Sequence, residues 1–375
     1  MGNIFNIAKK RMPHFILEGT SYEIGKKIGS ILNSNEEKYG GFVSFLTSGN
    51  PNPQKLGFNN FQEMEELYEE CCPGITEEIQ GFADSLNVQT NKIIFYGFPL
   101  SFQQNCSHMV ALPSITNNNH VLVGRSYEWN HNEEDLILFT TKVRGKRAHI
   151  GFSNLLLGRY EGFNADGLCI TSSGGGAYNA PIKNKKAIFF SLAVRSVLEN
   201  CVTVEAGIDL LQDLPVFSSS NFILAEKQGK AALIECLDSE YSIKEINGET
   251  PSYLISTNHY TLPEKIKYNK YVNNWLLSNS KTRYERIKSE FNADMPSISQ
   301  DTMKNILSNE IPNGVCAYYH KDCFGTLWSM IFDLTEGTVE ISFGPPSHNK
   351  WNVFDFETLE NTEGYLAQFP ETLIE

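Results

Sequence analysis

A change of hydrophobic pattern near residue 106 constrains the fold of this chain more than any other feature. Before it, apolar residues recur at helical spacing in three segments: residues 22–32, 61–71 and 75–86. After it, the runs CSHMVALP and HVLVGRSYEW flank a polar turn at residues 117–119, a pattern typical of a β-hairpin. The sequence therefore predicts a mainly helical first hundred residues followed by a strand-rich region.

The strand-rich region is predicted to contain further strands and several helices. The predicted strands are at residues 136–143, 149–152, 167–171, 220–225, 231–236, 253–256, 326–333 and 338–343. The predicted helices are at residues 187–198, 204–214, 281–291 and 300–307. Strands at both ends of the region, with helices between and after them, indicate an α+β fold in which sheets pack together with helices outside.

Composition excludes several classes of protein. With 375 residues, 41% hydrophobic and 20% charged, the chain has the composition of a globular protein. A net charge of −13 argues against binding nucleic acid or an anionic membrane surface, because both require a basic face. No apolar run approaches the roughly 20 residues of a membrane span. We see no signal peptide, so we expect a cytoplasmic protein.

The eight cysteines have irregular spacing without a CxxC pair. We therefore expect reduced thiols, no metal site and no cofactor. Cys106 differs from the others because it lies where the pattern changes. If the Asn105–Cys106 bond were cut, the new α-amine, with a pKa of about 8, would lie beside the thiol and act as its base. On position alone, an ordinary buried cysteine remains the simpler interpretation.

Eight segments carry a resemblance to a known family. In chain order they are GTSYEIGKKIG, PGITEEIQGFADSLNV, NCSHMVAL, GRSYEWN, EGFNADGLCITSSGGG, STNHY, SKTRYERI and TLWSMIFDLTEGTVEISFGPP. Together they resemble the penicillin acyltransferase family of N-terminal nucleophile hydrolases, the group that includes acyl-CoA:6-aminopenicillanic acid acyltransferase. The sequence is more distantly similar to choloylglycine hydrolases and penicillin V acylases.

The resemblance implies a four-layer αββα sandwich with two stacked antiparallel sheets and helices on both outer faces. It also implies autocatalytic cleavage between Asn105 and Cys106. Residues 1–105 would then form a helical pro-segment that stays associated, and residues 106–375 would form the N-terminal nucleophile hydrolase domain. Asn105 stands where the acyltransferase branch usually has glycine.

The same resemblance assigns catalytic roles. Cys106 matches the nucleophile, Arg125 the arginine beside it, and Asn258 the donor to the oxyanion. Glu128 falls where relatives usually carry the aspartate that holds the α-amine. The two remaining matches come from the choloylglycine branch: Asn164, which is also compatible with an ordinary hairpin turn, and Arg283, for which Arg286 is an alternative.

Four further residues are expected to bind substrate: His108, Tyr127, Gly175 and His259. His108 shares a strand face with Cys106, and His259 follows Asn258. A papain-like Cys–His pair is disfavoured, because Cys106 lies on a strand and lacks that family's local pattern. The glycine run that contains Gly175 is not followed by Lys-Ser/Thr, so we interpret it as a substrate-lining loop rather than a phosphate loop.

The leading hypothesis is a self-processing amidohydrolase or acyltransferase acting on a small-molecule acyl amide or acyl-CoA. Two alternatives stay open: a penicillin V acylase or bile-salt hydrolase, and an unprocessed, catalytically silent member that acts as a binding protein. Sequence does not decide between hydrolysis and acyl transfer, and it leaves a homo-oligomer open.

Overall fold

The computed structural model of the chain describes residues 5–34, 39–41, 43–44, 52–96, 105–154, 156–183, 186–217, 219–249, 252–292, 298–357 and 360–372. Seventeen strands lie in these residues: β1 Phe5–Gly19, β2 Asn105–Ala111, β3 Leu122–Trp129, β4 Leu138–Val143, β5 His149–Asn154, β6 Gly158–Arg159, β7 Glu161–Asn164, β8 Leu168–Gly174, β9 Ser219–Glu226, β10 Lys230–Leu237, β11 Glu240–Ile246, β12 Tyr253–Ser256, β13 Tyr318–Tyr319, β14 Phe324–Asp333, β15 Thr338–Phe343, β16 Trp351–Phe354 and β17 Thr362–Thr372.

Eight α-helices lie in the same described residues: α1 Ser21–Asn33, α2 Phe61–Cys71, α3 Ile75–Leu86, α4 Thr90–Tyr96, α5 Phe190–Asn200, α6 Val204–Asp213, α7 Asn274–Phe291 and α8 Gln300–Ser308. The first three predicted helices and the hairpin of β2 and β3 are confirmed. Thr20 caps α1 and forms a capping box with Glu23.

The strands form two sheets. The first has the order β11-β10-β9-β8-β7-β5-β4-β1-β17, with β6 paired to β5. The second has the order β12-β2-β3-β14-β15-β16, with β13 paired to β14. Neighbouring strands are antiparallel except β1 and β4, which are parallel.

The two sheets stack face to face through aromatic side chains. Phe152 of β5 packs flat on Trp328 of β14 with ring centroids 4.1 Å apart, and Phe163 of β7 meets Phe332 of β14 edge to face. Helices α5 and α6 cover the outer face of the first sheet, and α7 and α8 cover that of the second. Strands β2, β3 and β14 are buried along their whole length, as covering on both faces requires. The predicted αββα architecture of the α+β class is confirmed.

Strand β1 is a feature that the sequence analysis missed. It lies in the first sheet between β4 and β17, so the first hundred residues are not only helical. Pro13 obscures the pattern because proline normally argues against a paired strand, and here the register with β17 shifts between Met12 and His14. The segment before residue 106 therefore contributes a strand to the sheet itself.

Helices α1 to α4 pack on one another, and α2 also packs against α5. Gly25 of α1 and Gly81 of α3 allow the closest approach: a Cβ at Gly25 would lie 1.9 Å from the Glu78 carbonyl oxygen. A Cβ at Gly81 would lie 2.1 Å from the Tyr22 carbonyl oxygen. Any side chain at either position would force the two helices apart.

A buried ion cluster, made of Glu78, Lys146, Arg195 and Glu199, joins α3 to α5. Arg195 donates to both Glu78 carboxylate oxygens at 2.7 and 2.5 Å, and its Nε donates to Glu199 at 2.8 Å. Lys146 lies 2.5 Å from Glu199. Burial alone would raise the pKa of Glu199, but the two cations lower it to about 2. The cluster therefore ties the first hundred residues to the strand-rich region by charge as well as by the sheet.

Candidate active site

Cys106 lies near the start of β2 and is completely buried. It pairs directly with Tyr127 of β3, and Asn105 pairs with Glu128. Residues paired in this way point to the same face of a sheet. Cys106, Tyr127 and the next alternate residue, His108, therefore face the first sheet, whereas Asn105 and Glu128 face the helices.

Arg125 is the cation on the same face as the Cys106 thiol. It pairs with His108 in the ladder, and its Nε donates to Glu161 of β7 at 3.0 Å. Burial raises the pKa of the Cys106 thiol to about 11, although Arg125 opposes that shift. In the intact chain the thiol is therefore protonated near neutral pH and held beside a fixed cation.

Asn258 and Arg283 hold the backbone of Cys106. The Asn258 side-chain oxygen accepts from the Cys106 backbone N–H at 2.8 Å and from Arg283 at 2.7 Å. Another N–H of Arg283 donates to the Cys106 carbonyl oxygen at 2.5 Å and to the Ser107 hydroxyl at 2.9 Å. The Asn258 amide nitrogen donates to the Gly174 carbonyl oxygen at 3.0 Å, so Asn258 meets Cys106 through its oxygen.

The structure also separates the two arginine candidates. Arg283 is buried and its guanidinium lies against Cys106. Arg286, one turn further along α7, donates to the Asn313 carbonyl oxygen and pairs with Glu290 at the surface. Arg283 is therefore the arginine that the fold brings to the cysteine.

Glu128 is buried on the helix-facing side of β3, where the Ser126 hydroxyl donates to its carboxylate. Burial raises the pKa of Glu128 to about 7, with Arg283 acting in the opposite direction. The carboxyl group therefore changes charge near neutral pH, within reach of the electric field of Arg283.

Glu128→Gln is expected to flatten the pH dependence of stability between about pH 4.5 and pH 7. Within this pH range the Glu128 carboxyl group is protonated in the folded chain, but it is ionised in the unfolded chain, where its pKa is near 4.5. The stability that the Glu128 proton contributes is complete below that range and falls as pH rises through it, by at most about 1.4 kcal/mol per pH unit. Urea unfolding of both proteins across the range measures this. Glu264→Gln, at an exposed site, is the control, and an unchanged slope in Glu128→Gln would contradict the assignment.

Tyr127 forms part of an aromatic wall beside Cys106. Its ring stacks on Trp328 with centroids 4.4 Å apart, and Tyr160 lies equally close. The hydroxyls of Tyr127 and Tyr160 both donate to Glu134, at 2.5 and 2.8 Å. Burial raises the pKa of Glu134 to about 8. Tyr127 is therefore held rigidly on the face that Cys106 shares.

The histidines form no base for Cys106 in the part of the chain that the structure describes. His108 shares its face, but its ring nitrogens contact the hydroxyls of Thr171 at 2.7 Å and Ser173 at 3.1 Å. Burial lowers the pKa of His108 well below its ordinary value, so the ring is neutral. His259 contacts the Ser280 hydroxyl at 2.7 Å, and burial lowers its pKa to about 4.

Gly175 follows Gly174, whose carbonyl oxygen accepts from Asn258, and it is packed tightly: its N–H donates to the Ser219 carbonyl oxygen, and a Cβ there would lie 2.4 Å from the Ser219 hydroxyl. Its role in lining a substrate site stays a prediction. Asn164 is a correction. Its amide nitrogen donates to the carbonyl oxygens of Leu198 and Cys201, at 3.1 and 2.8 Å, so it fixes the end of α5 instead of facing Cys106. The turn interpretation of Asn164 is the correct one.

Sequence reasoning missed two residues that position the site. Glu161 pairs with Arg125, and Asn279 accepts from the Arg283 Nε at 2.8 Å. A signal existed for Glu161, because a carboxylate inside a strand that is buried on both faces needs a cation. Asn279 had no such signal, because its position one helical turn before Arg283 does not distinguish it from a surface residue.

Within the described ranges, no group of three or more His, Cys, Asp or Glu side chains could hold a metal ion. Nor does any described helix combine the length and hydropathy needed to cross a membrane. The site is thus built from a thiol, two arginines, two carboxylates and an amide.

Two stacked sheets with a thiol, cations and an amide gathered at the start of one buried strand fit the class of enzymes that transfer or hydrolyse acyl groups. The chain belongs to the acyl-coenzyme A:6-aminopenicillanic acid acyl-transferase family, whose model matches residues 115–348. The family expected from the sequence is thereby confirmed, and with it an acyltransferase type of activity.

The fold has neighbours among solved structures. Penicillin V acylase from Agrobacterium tumefaciens is 16% identical over 70% of this chain and 90% of its own, with a TM-score of 0.47. A mutant of conjugated bile acid hydrolase from Clostridium perfringens is 13% identical over 70% of this chain and 96% of its own, also with a TM-score of 0.47. No curated protein sequence matches the chain.

Proposed function

We propose that the chain is a self-processing N-terminal cysteine amidohydrolase or acyltransferase. It acts on linear amide C–N bonds or acyl thioesters through an acyl-enzyme on Cys106. The observation that carries the proposal is that Asn258 and Arg283, from separate segments, hold the backbone of a single buried cysteine whose side chain shares a sheet face with Arg125. Such convergence is typical of a reacting centre rather than of a structural thiol.

In the first proposed step the Cys106 thiol attacks the Asn105 carbonyl carbon. The C–N bond to Cys106 breaks, its nitrogen takes the thiol proton, and a thioester joins the Asn105 carbonyl to the Cys106 sulfur. Water then hydrolyses the thioester to an Asn105 carboxylate and a free Cys106. Support comes from the hydrogen bond of the Cys106 N–H to Asn258 and from that of the Asn105 side-chain amide to the Cys323 carbonyl oxygen at 3.0 Å, since both fix the bond that breaks.

In turnover the thiol of Cys106 attacks the substrate carbonyl, and its α-amine carries the proton to the leaving amine. Water or a second amine then resolves the acyl-enzyme. Asn258 and Arg283 supply donors for the tetrahedral oxyanion, which requires the Asn258 amide to exchange its bond to Gly174 for one to substrate. Glu128 would hold the α-amine, and Arg125 would favour the thiolate.

After cleavage, residues 1–105 and 106–375 are proposed to remain one particle. Two features support this. Strand β1 pairs with β4 on one side and β17 on the other, and the buried ion cluster links α3 to α5. Dissociation would expose two strand edges and leave buried charges unpaired, and both are costly.

Intact mass and a substrate panel test the proposal. Purified protein should contain fragments of about 12 and about 30 kDa, scaled from the 42.3 kDa chain, that elute together. Acyl amides and acyl-CoA donors, each with and without an added amine, then separate hydrolysis from acyl transfer. An active enzyme that remains a single 42.3 kDa chain would contradict the N-terminal amine mechanism.

Arg283→Lys is expected to slow cleavage and acyl turnover by about 100-fold or more. A lysine keeps the positive charge but lacks the planar guanidinium group with its several N–H donors. Arg283 donates at once to Cys106, Ser107 and Asn258, which one ammonium group cannot reproduce. Fragment formation over time and kcat/KM measure the effect.

Arg286→Lys on the same helix is the matched control and should leave both rates unchanged. A urea midpoint for each variant separates a lost contact from a lost fold. Equal effects at the two positions would show that both rates depend on helix α7 as a whole and not on the guanidinium group of Arg283.

A further inference from the structure

A cavity of about 610 Å³ lies next to the Arg283 side of the site. One wall follows α7, where Trp275, Asn279 and Arg283 recur every four residues and so share a helix face. Trp275 and Asn279 line the cavity, and Asn279 accepts from Arg283, which contacts Cys106. This face of α7 therefore leads from the cavity to the cysteine.

The opposite wall is also joined to the cleavage site. The Asn105 side-chain amide donates to the carbonyl oxygen of Cys323, which lies between the lining residues Asp322 and Phe324. The Phe324 ring centroid is 5.7 Å from the Arg283 guanidinium. The cavity is thus linked to Asn105 through Cys323, and to Cys106 through Asn279 and Arg283.

Three aromatic rings meet in the cavity. Trp275 contacts Phe324 edge to face with centroids 5.3 Å apart, and Tyr319 lies nearly parallel to Phe324 at 6.3 Å. Trp275 is 56% exposed and Tyr319 is 47% exposed, which is unusual for large aromatic side chains beside a catalytic centre. Aromatic faces that remain accessible in a cavity are suited to bind a cation or an apolar group.

The accessible charge of the cavity is negative. Glu310 and Asp322 line it, both are exposed, and within the described ranges neither has a cationic group within 4.0 Å. The neighbouring Lys321 lies 3.6 Å from Glu371. Arg283 is buried behind Asn279 and Phe324, with its N–H groups directed to Cys106, Ser107, Asn258 and Asn279.

We propose that this acidic aromatic cavity binds an ammonium group carried by the amine part of the amide that Cys106 cleaves, or by the amine that receives its acyl group. The inference rests on the proposed function and narrows its substrate class to amines with a second, positively charged nitrogen. Aromatic faces and uncompensated carboxylates both favour that charge. The phosphates of a coenzyme A donor would be repelled from this cavity.

Binding tests the cavity without requiring activity. Choline and 3,3-dimethylbutan-1-ol have the same shape, but only choline is charged. Choline should bind the wild-type protein about fivefold or more tightly than the neutral alcohol by saturation-transfer NMR titration. The double variant Glu310→Gln/Asp322→Asn and the variant Trp275→Leu should each remove most of that preference.

Glu336→Gln is the matched control, because it removes an exposed carboxylate at the other end of β14 and should change nothing. Equal binding of choline and the alcohol to the wild-type protein would overturn the proposal. So would a preference for choline that survives both the double variant and Trp275→Leu.

Kinetics tests the role in substrate choice. Two amides of one acyl group are compared, one made from 2-(trimethylammonio)ethylamine and one from 3,3-dimethylbutylamine. The charged amide should have a KM lower by about fivefold, and the Gln/Asn double variant should raise that KM while leaving the neutral amide unaffected. Equal KM values overturn the substrate role. Turnover that persists in Cys106→Ala would instead refute the proposed function. The choline titration would then be the remaining test of whether the cavity binds an ammonium group.

Discussion

Cys106→Ala is expected to abolish both chain cleavage and acyl turnover. The proposed mechanism uses the residue three times, as the group that cuts the Asn105–Cys106 bond, as the nucleophile toward substrate and as the source of the α-amine. Loss of a nucleophile from a concerted group lowers kcat by on the order of 10⁴-fold or more. The variant should be recovered as one 42.3 kDa chain with no measurable hydrolysis of any amide that the wild-type enzyme cleaves.

Cys236→Ala provides the matched control. Cys236 is also fully buried in a strand, and burial raises its pKa to about 12, but it lies in β10. This variant should lose some stability through its cavity and retain cleavage and turnover. Full turnover in Cys106→Ala would require another nucleophile, whereas an uncleaved but active Cys106→Ser would separate processing from catalysis.

Arg195→Leu is expected to destabilise the protein by about 3–5 kcal/mol, because it leaves the buried carboxylate of Glu78 without a cation and removes one of the two cations of Glu199. Arg195 is 1% exposed and bonds to Glu78, Glu199 and the Leu157 carbonyl oxygen. Urea unfolding of the uncleaved chain measures the loss. In cleaved protein, the same change should also release the fragment of about 12 kDa more readily during size-exclusion chromatography in urea.

Arg286→Leu removes an arginine from a half-buried ion pair with Glu290 and should cost no more than about 1 kcal/mol. Both arginines pair with a glutamate four residues away on the same helix, so the contrast measures the deeper burial of Arg195 together with its second partner, Glu78. A similar small loss for Arg195→Leu would mean that Glu78 and Glu199 become neutral or hydrated at little cost.

The architecture could be predicted because buried strands carry long apolar runs. Strands β8, β9, β10 and β14 all appear as such runs, and their order in the chain indicates stacked sheets. Strand β1 could not be predicted in the same way. Its sequence contains Lys9, Lys10, Arg11 and Pro13, and it is recruited to the sheet by pairing with β4 and β17 more than 100 residues away. Pairing with distant strands overrides the local conformational preference of this segment.

The site was predictable where a residue contacts Cys106 and not where it acts through another residue. Asn258 and Arg283 hydrogen-bond the cysteine backbone, and Arg125 shares the sheet face of its side chain. Asn164 was assigned wrongly, because a turn asparagine and a catalytic one have the same local sequence pattern. The acidic aromatic cavity had no sequence signal, since Trp275 and Tyr319 are 44 residues apart and meet only through the fold.

The pairing of β1 with β17 also bears on chain connectivity. Phe5 lies opposite Thr372, so the first and last described strands run side by side and the chain follows an almost closed path. Because β1 lies on one side of the proposed cleavage site and β17 on the other, this pairing would hold the two fragments edge to edge after cleavage. Cys106 would then carry the free amine of a new chain end while strand β2 keeps its place between β12 and β3.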